Sequence, residues 1–158
     1  MTHTLTQSKH RITTPTGLYE ANYRRFIRLV PELRALAVND DYCLSLSKII
    51  IKILEQYKYT SVVSLRQLLQ ASVVQGVVHE LQIHPHLNSI DMELRICHDA
   101  CLVEVIGYQG KSPIQSANVY PNKHMLQIDE KRQLNLFLRD VLENSLKTEY
   151  HHILKKNY

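Results

Sequence analysis

The stretch DMELRICHDACLVEVIGY, residues 91–108, constrains this chain more than any other. Two alternating runs flank the short polar break HDAC, and apolar side chains recur at every second position, the period of a half-buried β-strand. With Asp99 and Ala100 at the centre of the turn, Leu94 faces Val105, Arg95 faces Glu104 and Ile96 faces Val103. One face then carries Met92, Leu94, Ile96, Val103 and Val105, and the other Asp91, Glu93, Arg95 and Glu104. A slip of one residue would set Leu94 against Glu104, so the pattern specifies its own register. The same register separates two cysteines. Cys97 falls on the polar-side face with Leu102, and Cys101 on the core face with His98. A disulfide needs Cβ atoms about 3.5–4.5 Å apart, so these two read as separate thiols.

Around this hairpin the periodicity changes. Residues 17–36, GLYEANYRRFIRLVPELRAL, read as a helix. Leu18, Tyr19, Tyr23, Phe26, Ile27 and Val30 recur at three- and four-residue spacing, and Pro31 ends or kinks the element at Val30. Residues 47–56 hold Ile49, Ile50, Ile51 and Ile53, which favour strand. The turn YKY leads into TSVVSLRQL, a second strand. Over 64–83, Leu65, Leu68 and Leu69 also fit a helical stripe, so helix stays open there. The last long segment, DEKRQLNLFLRDVLENSLKTEY, is an amphipathic helix with Leu134, Phe137, Leu138, Val141 and Leu142 as its apolar stripe. Asp129 is placed to cap it through backbone N–H groups, and Glu143 and Lys147 form a favourable i,i+4 pair. The order α-β-β-β-β-α implies an α+β domain, with an antiparallel sheet of about four strands flanked by an N-terminal and a C-terminal helix.

The expected layout is a flexible polar lead-in at 1–16, a single domain at 17–150 and a basic tail at 151–158. The chain has 158 residues, enough for one core without staples. No apolar run approaches the ~20 residues of a membrane span, and the opening MTHTLTQSKHRITTPTG has no apolar core of a secretory signal. Three cysteines, an odd count, do not read as a disulfide framework, which makes the cytoplasm the expected location. The net charge of +4 is dispersed, with local concentrations near Arg24 and Lys155. A nucleic-acid surface clusters its charge, so this distribution argues against one.

Several stretches occur in the same order and at similar spacing in the YqiB-like family of small bacterial proteins (domain of unknown function 1249), which the chain therefore resembles. They are LYEANYRRFIRLVP, the YKYTSVV turn and strand, ELRICHDACLVEV and YPNKHMLQIDEKRQLNLFLRDVL. The two strongest pieces are HDA followed by a strand with Glu104, and YPN followed by DEK-Q-N-FL. The resemblance covers residues 17–148 and departs over 70–90, which is longer than the matching connection. The family has no established activity, so the resemblance lends no catalytic residues.

Candidate chemistry rests on loop ends. The stretch YPNKHMLQIDEK gathers Tyr120, Asn122, Lys123 and His124 before a helix start at Glu130 and Lys131, and helix starts attract anions. Asp129 and Glu130 oppose that, and Pro121 with Asn122 reads rather as an ordered turn. His98 and Asp99 can relay a proton or ligate metal, yet nothing nearby completes a ligand set, and Asp99 suits capping its own turn. His79, His84 and His86 could hold zinc, but Pro85 suggests a loop. Arg24, Arg25 and Arg28 share part of a helix face and could contact phosphate, although Glu20 four residues before Arg24 favours a solvated face. Phosphate-cradling glycine loops, the G-x-S-x-G elbow and CxxC pairs are missing. No cofactor and no metal are called for. The expectation is a cytosolic binding or regulatory module that engages a macromolecular partner or small ligand. One alternative is an acid–base enzyme using His98, Asp99, Tyr120 and Glu130. A second is a weak nucleic-acid binder with Arg24, Arg25, Arg28 and the C-terminal lysines on one face.

Overall fold

A computed structural model describes residues 15–69, 89–111 and 129–156, the last six by backbone alone. Helix α1 spans Pro15–Leu29 and a short 3-10 turn follows at Leu33–Ala35. Five strands come next: β1 Asp41–Leu44, β2 Ile49–Gln56, β3 Thr60–Leu68, β4 Ser89–Cys97 and β5 Leu102–Tyr108. Helix α2 closes the chain at Glu130–Lys156. The strands form one antiparallel sheet in sequence order, β1-β2-β3-β4-β5. The class is α+β as expected, with five strands rather than four.

The strand that the sequence did not reveal is β1. DYCL is only four residues long and carries no alternating apolar pattern. It is a strand because Asp41 to Leu44 align with Lys52 to Ile49 across a turn in which Lys48 adopts φ +54°. The first helix ends within one residue of the Val30 boundary that Pro31 implies. It stops at Leu29, and Pro31 separates it from the 3-10 turn, because proline cannot donate the next helical hydrogen bond.

The 91–108 hairpin has the expected register: Leu94 opposite Val105, Arg95 opposite Glu104 and Ile96 opposite Val103. Ile106 is the extra residue of a bulge, which sets Glu93 against Gly107. Met92, Leu94, Ile96, Val103 and Val105 are buried, while the alternate positions are open. A second bulge, at Leu54, shifts β2 by one residue. Ile53 pairs Val63, but Glu55 pairs Val62, so Gln56 turns to the buried face beside Ser61.

Both helices cover that face. Phe26, Leu29 and Val30 from α1 side and Leu134, Leu138, Val141, Leu142 and Leu146 from α2 join the sheet residues in one core. The predicted α2 stripe is the buried one, with Phe137 half-buried against it. Helix α2 runs across the sheet. Near its start, the Asn135 Oδ1 accepts the Val105 N–H of edge strand β5 at 3.1 Å. Near its end, Glu149 Oε1 accepts from the Ser47 N–H and hydroxyl at 3.2 and 2.9 Å, beside the β1–β2 turn. The Glu143 carboxylate reaches across to Arg25 of α1 at 2.6 Å.

Candidate functional site

Two hairpin tips lie side by side at one end of the sheet, joined by the His98 N–H donating to the Tyr59 carbonyl at 2.8 Å. His98 itself is 8% exposed. Its Nε2 lies 2.7 Å from the hydroxyl of fully buried Ser61, and its Nδ1 is buried with no hydrogen-bond partner among the described residues. The ring meets Tyr23 of α1 edge to face, with centroids 6.4 Å apart. Burial holds the imidazole below its ordinary pKa, and the Arg34 guanidinium adds to this, while Asp99 opposes it. The neutral form is therefore the resident one.

Asp99 does not orient this imidazole. Its Oδ1 accepts the Ala100 N–H at 2.9 Å, the capping of its own turn that residues of this type favour. Cys101 corrects an expectation. Rather than lying on the core face, it is exposed in the turn at φ +53°, with its thiol 3.6 Å from the His98 carbonyl. The left-handed conformation that closes a four-residue turn lifts it off the strand alternation. Burial and the neighbouring Cys101 thiol push the Tyr23 hydroxyl above its usual pKa. Cys97 stands in β4 opposite Leu102, its thiol pushed up by burial and by Glu104.

A second polar group adjoins along β5. Glu104 pairs with Arg95 at 3.2 Å across the hairpin and with Lys131 of α2 at 2.7 Å. The Lys131 side chain is 14% exposed, a low value for lysine. Tyr19 of α1 is raised in pKa by burial first, with Lys131 lowering and Glu104 raising it. Beneath them, Asn135 donates from Nδ2 to the Lys131 carbonyl at 2.8 Å, and its own carbonyl accepts from Asn22 Nδ2 at 3.0 Å. Asn22 and Asn135 are fully buried, and the Asn22 Oδ1 has no partner among the described residues. The start of α2 differs from expectation too. The Asp129 carbonyl accepts the first helical bond from Gln133, but its carboxylate meets side chains, Gln133 Nε2 at 3.0 Å and Arg132 at 4.0 Å.

Of the sequence candidates, His98 and Asp99 lie at the hairpin tip, and Lys131 pairs with Glu104 farther along β5. Glu130 begins α2. Tyr120, Asn122, Lys123 and His124, with His79, His84 and His86, lie outside the described residues. The arginines of α1 part company: Arg25 pairs with Glu143, Arg28 lies 5.2 Å from the Tyr150 ring and Arg24 is exposed. Among the described residues, no group of three or more His, Cys, Asp or Glu side chains is placed to hold a metal. Sequence reading missed Tyr19, Asn22, Tyr23, Ser61 and Asn135 as site residues. A signal existed for the two asparagines: each interrupts an apolar stripe, Asn22 between Leu18 and Phe26, and Asn135 beside Leu134 and Leu138.

Three sequence stretches thus meet here: LYEANY, HDACLVE and the DEK-Q-N helix start. Two of them, HDACLVE and the DEK-Q-N helix start, lie within a family match. A family model described as a protein of unknown function (DUF1249) matches residues 25–151. The chain belongs to this family. It is similar to the uncharacterized protein YqiB of Escherichia coli (strain K12), 30% identical over 129 residues, covering 82% of this chain and 84% of that protein. It is equally similar to the YqiB of Escherichia coli O157:H7. No solved structure matches.

Proposed function

We propose that this member of the DUF1249 family is a cytoplasmic binding or regulatory module that engages a macromolecular partner or small ligand. The site is where α1, the HDAC tip and the start of α2 meet. The observation that supports this is the grouping of the half-buried Tyr23 and the exposed thiol of Cys101 beside His98, which burial keeps neutral and whose buried Nδ1 has no partner among the described residues. A few fixed polar groups set in a partly apolar surface are what a recognition site supplies. Free thiols accord with a reducing compartment. An acid–base enzyme built on His98, Asp99, Tyr120 and Glu130 has weaker support. The Asp99 carboxylate is engaged by its own turn, and the Ser61 hydroxyl that partners His98 is buried away from substrate.

The test uses the thiols as handles. A thiol-linked photo-crosslinker is attached at Cys101 in a Cys43→Ser, Cys97→Ser background, and at Cys43 in a Cys97→Ser, Cys101→Ser background. Both proteins are irradiated in bacterial extract beside an amide-shift screen of small fragments. Discrete adducts from Cys101 alone, or fragment shifts centred on Tyr23, His98 and Cys101, are expected. Equal adducts from both positions together with fragment shifts elsewhere would defeat the reading.

A further inference from the structure

The outer face of the sheet, opposite the helices, has its own pattern. Along β4 the open positions are Asp91, Glu93 and Arg95. Cross-strand neighbours decide how such charges are matched. Arg66 stands directly opposite Asp91 and binds it at 2.6 Å. Glu104 stands opposite Arg95 and binds it at 3.2 Å. Between them, Glu93 is flanked by Ser64 on one side and Gly107 on the other. Neither neighbour carries charge, and Glu93 has no ion pair or hydrogen bond among the described residues. The same two small residues leave a hollow. A cleft of about 460 Å³ opens here, lined by Glu93, Ser64, Gly107, Leu54, the Arg66–Asp91 pair and Lys111 among others. The Gln109-Gly110 turn, with φ +48° and +76°, forms its end wall.

The cleft therefore combines a carboxylate with no ion pair among the described residues, small side chains on both sides of it, an apolar wall at Leu54 and a single lysine, Lys111, at the Gln109-Gly110 end. Its volume lies within the range of small-ligand sites. We propose that this hollow binds an alkylammonium group, the ammonium on the Glu93 carboxylate and the alkyl chain along Leu54. A charge-assisted contact of this type supplies the cation that the cross-strand pattern omits. The proposal is independent of the His98 reading, because the two sites lie on opposite faces. An alkylammonium can come from a free diamine or from a lysine side chain of a partner, and the shared chemistry is the same.

The experiment is a titration followed by backbone amide shifts with three probes: 1,4-diaminobutane, N-acetyl-lysine methylamide and the uncharged control 1,4-butanediol. The two ammonium probes should shift the amides of Ser64, Glu93 and Gly107 saturably, and the diol should not. Glu93→Gln should weaken binding roughly tenfold, the loss of one charge-assisted contact. Ser64→Leu, which fills the hollow but keeps the carboxylate, should weaken it similarly. Arg66→Gln frees the Asp91 carboxylate and should strengthen it. Tighter binding of the lysine amide would point to a protein partner, and tighter binding of the diamine to a free amine. Shifts unchanged in Glu93→Gln, or scattered over exposed acids such as Asp41 and Glu55, would overturn the proposal.

Discussion

The two edges of this sheet are protected in different ways. Strand β5 is seven residues long and its edge is closed by a helix: Asn135, fully buried, accepts the Val105 N–H and ties the strand to α2 and, through Asn22, to α1. Strand β1 is four residues long and opens with Asp41. An unpaired edge invites another chain, and proteins counter this by covering it or by keeping it short and charged. Here one edge is covered and the other is short. The lesson is that Asn22 and Asn135 are not misplaced polar residues in a core. Asn135 belongs to the edge of β5, where an apolar side chain would leave the Val105 N–H without an acceptor, and Asn22 ties α1 to the Asn135 carbonyl.

The comparison is most sharply broken at Asn135. Asn135→Ala removes the acceptor for Val105 and the donor to Lys131 together, while the Asn135 backbone carbonyl still accepts from Asn22. A loss of about 3 kcal/mol is expected, since each buried group left unmatched costs about 1–3 kcal/mol. Urea unfolding measures it, and the Val105 amide should become the most deprotected of β5 by hydrogen exchange. A loss under about 1 kcal/mol would mean that the edge is not held there. Next is the Lys131–Glu104 pair above it. Both side chains are partly screened, so a double-mutant cycle with Lys131→Met and Glu104→Gln should give about 1 kcal/mol, falling as salt rises.

A third expectation concerns pH. The folded pKa of His98 lies below its ordinary value of 6.5. As pH falls below that, the unfolded chain takes up the proton first, so stability declines through the folded pKa and is complete above about 6.5. His98→Gln should flatten this acid-side loss relative to wild type in unfolding curves at successive pH values. The smallest effect belongs to the short edge. Cys43 is exposed on β1, and Cys43→Ser should change stability by less than about 0.5 kcal/mol.

How far these features can be read from the sequence depends on whether a local pattern records them. The register of β4 and β5 is legible because the strand side chains from Met92 to Ile96 and from Val103 to Val105 state their faces, although Cys101 in the turn does not. The stripe of α2 is legible for the same reason. Strand β1 is not, since DYCL becomes a strand only through its alignment with Ile49 to Lys52. The bulge at Leu54 reverses the alternation without a glycine to mark it, so Gln56 and Ser61 could not be read as buried neighbours. The candidate site was half legible. His98, Asp99 and Lys131 were singled out by residue type and position. Their partners Tyr19, Tyr23 and Ser61 come from elements far away in sequence, and only the packing of α1 on the sheet brings them together.

The path of α2 has a consequence for how the protein is made. The strands form a meander whose pairings are between neighbours in sequence, so they can assemble early. The helix that covers them is held by contacts spanning 113 residues, from Asn22 to Asn135, and 102 residues, from Ser47 to Glu149. During synthesis the sheet emerges first, with Ile51, Leu65, Leu94 and Val105 facing no partner from α2. At about 5–20 residues per second, the chain spends seconds in that state before the last turn of the helix appears. The nascent protein is thus most exposed to aggregation before α2 is made, and changes that remove α2 should be far more dangerous to the cell than those that shorten α1.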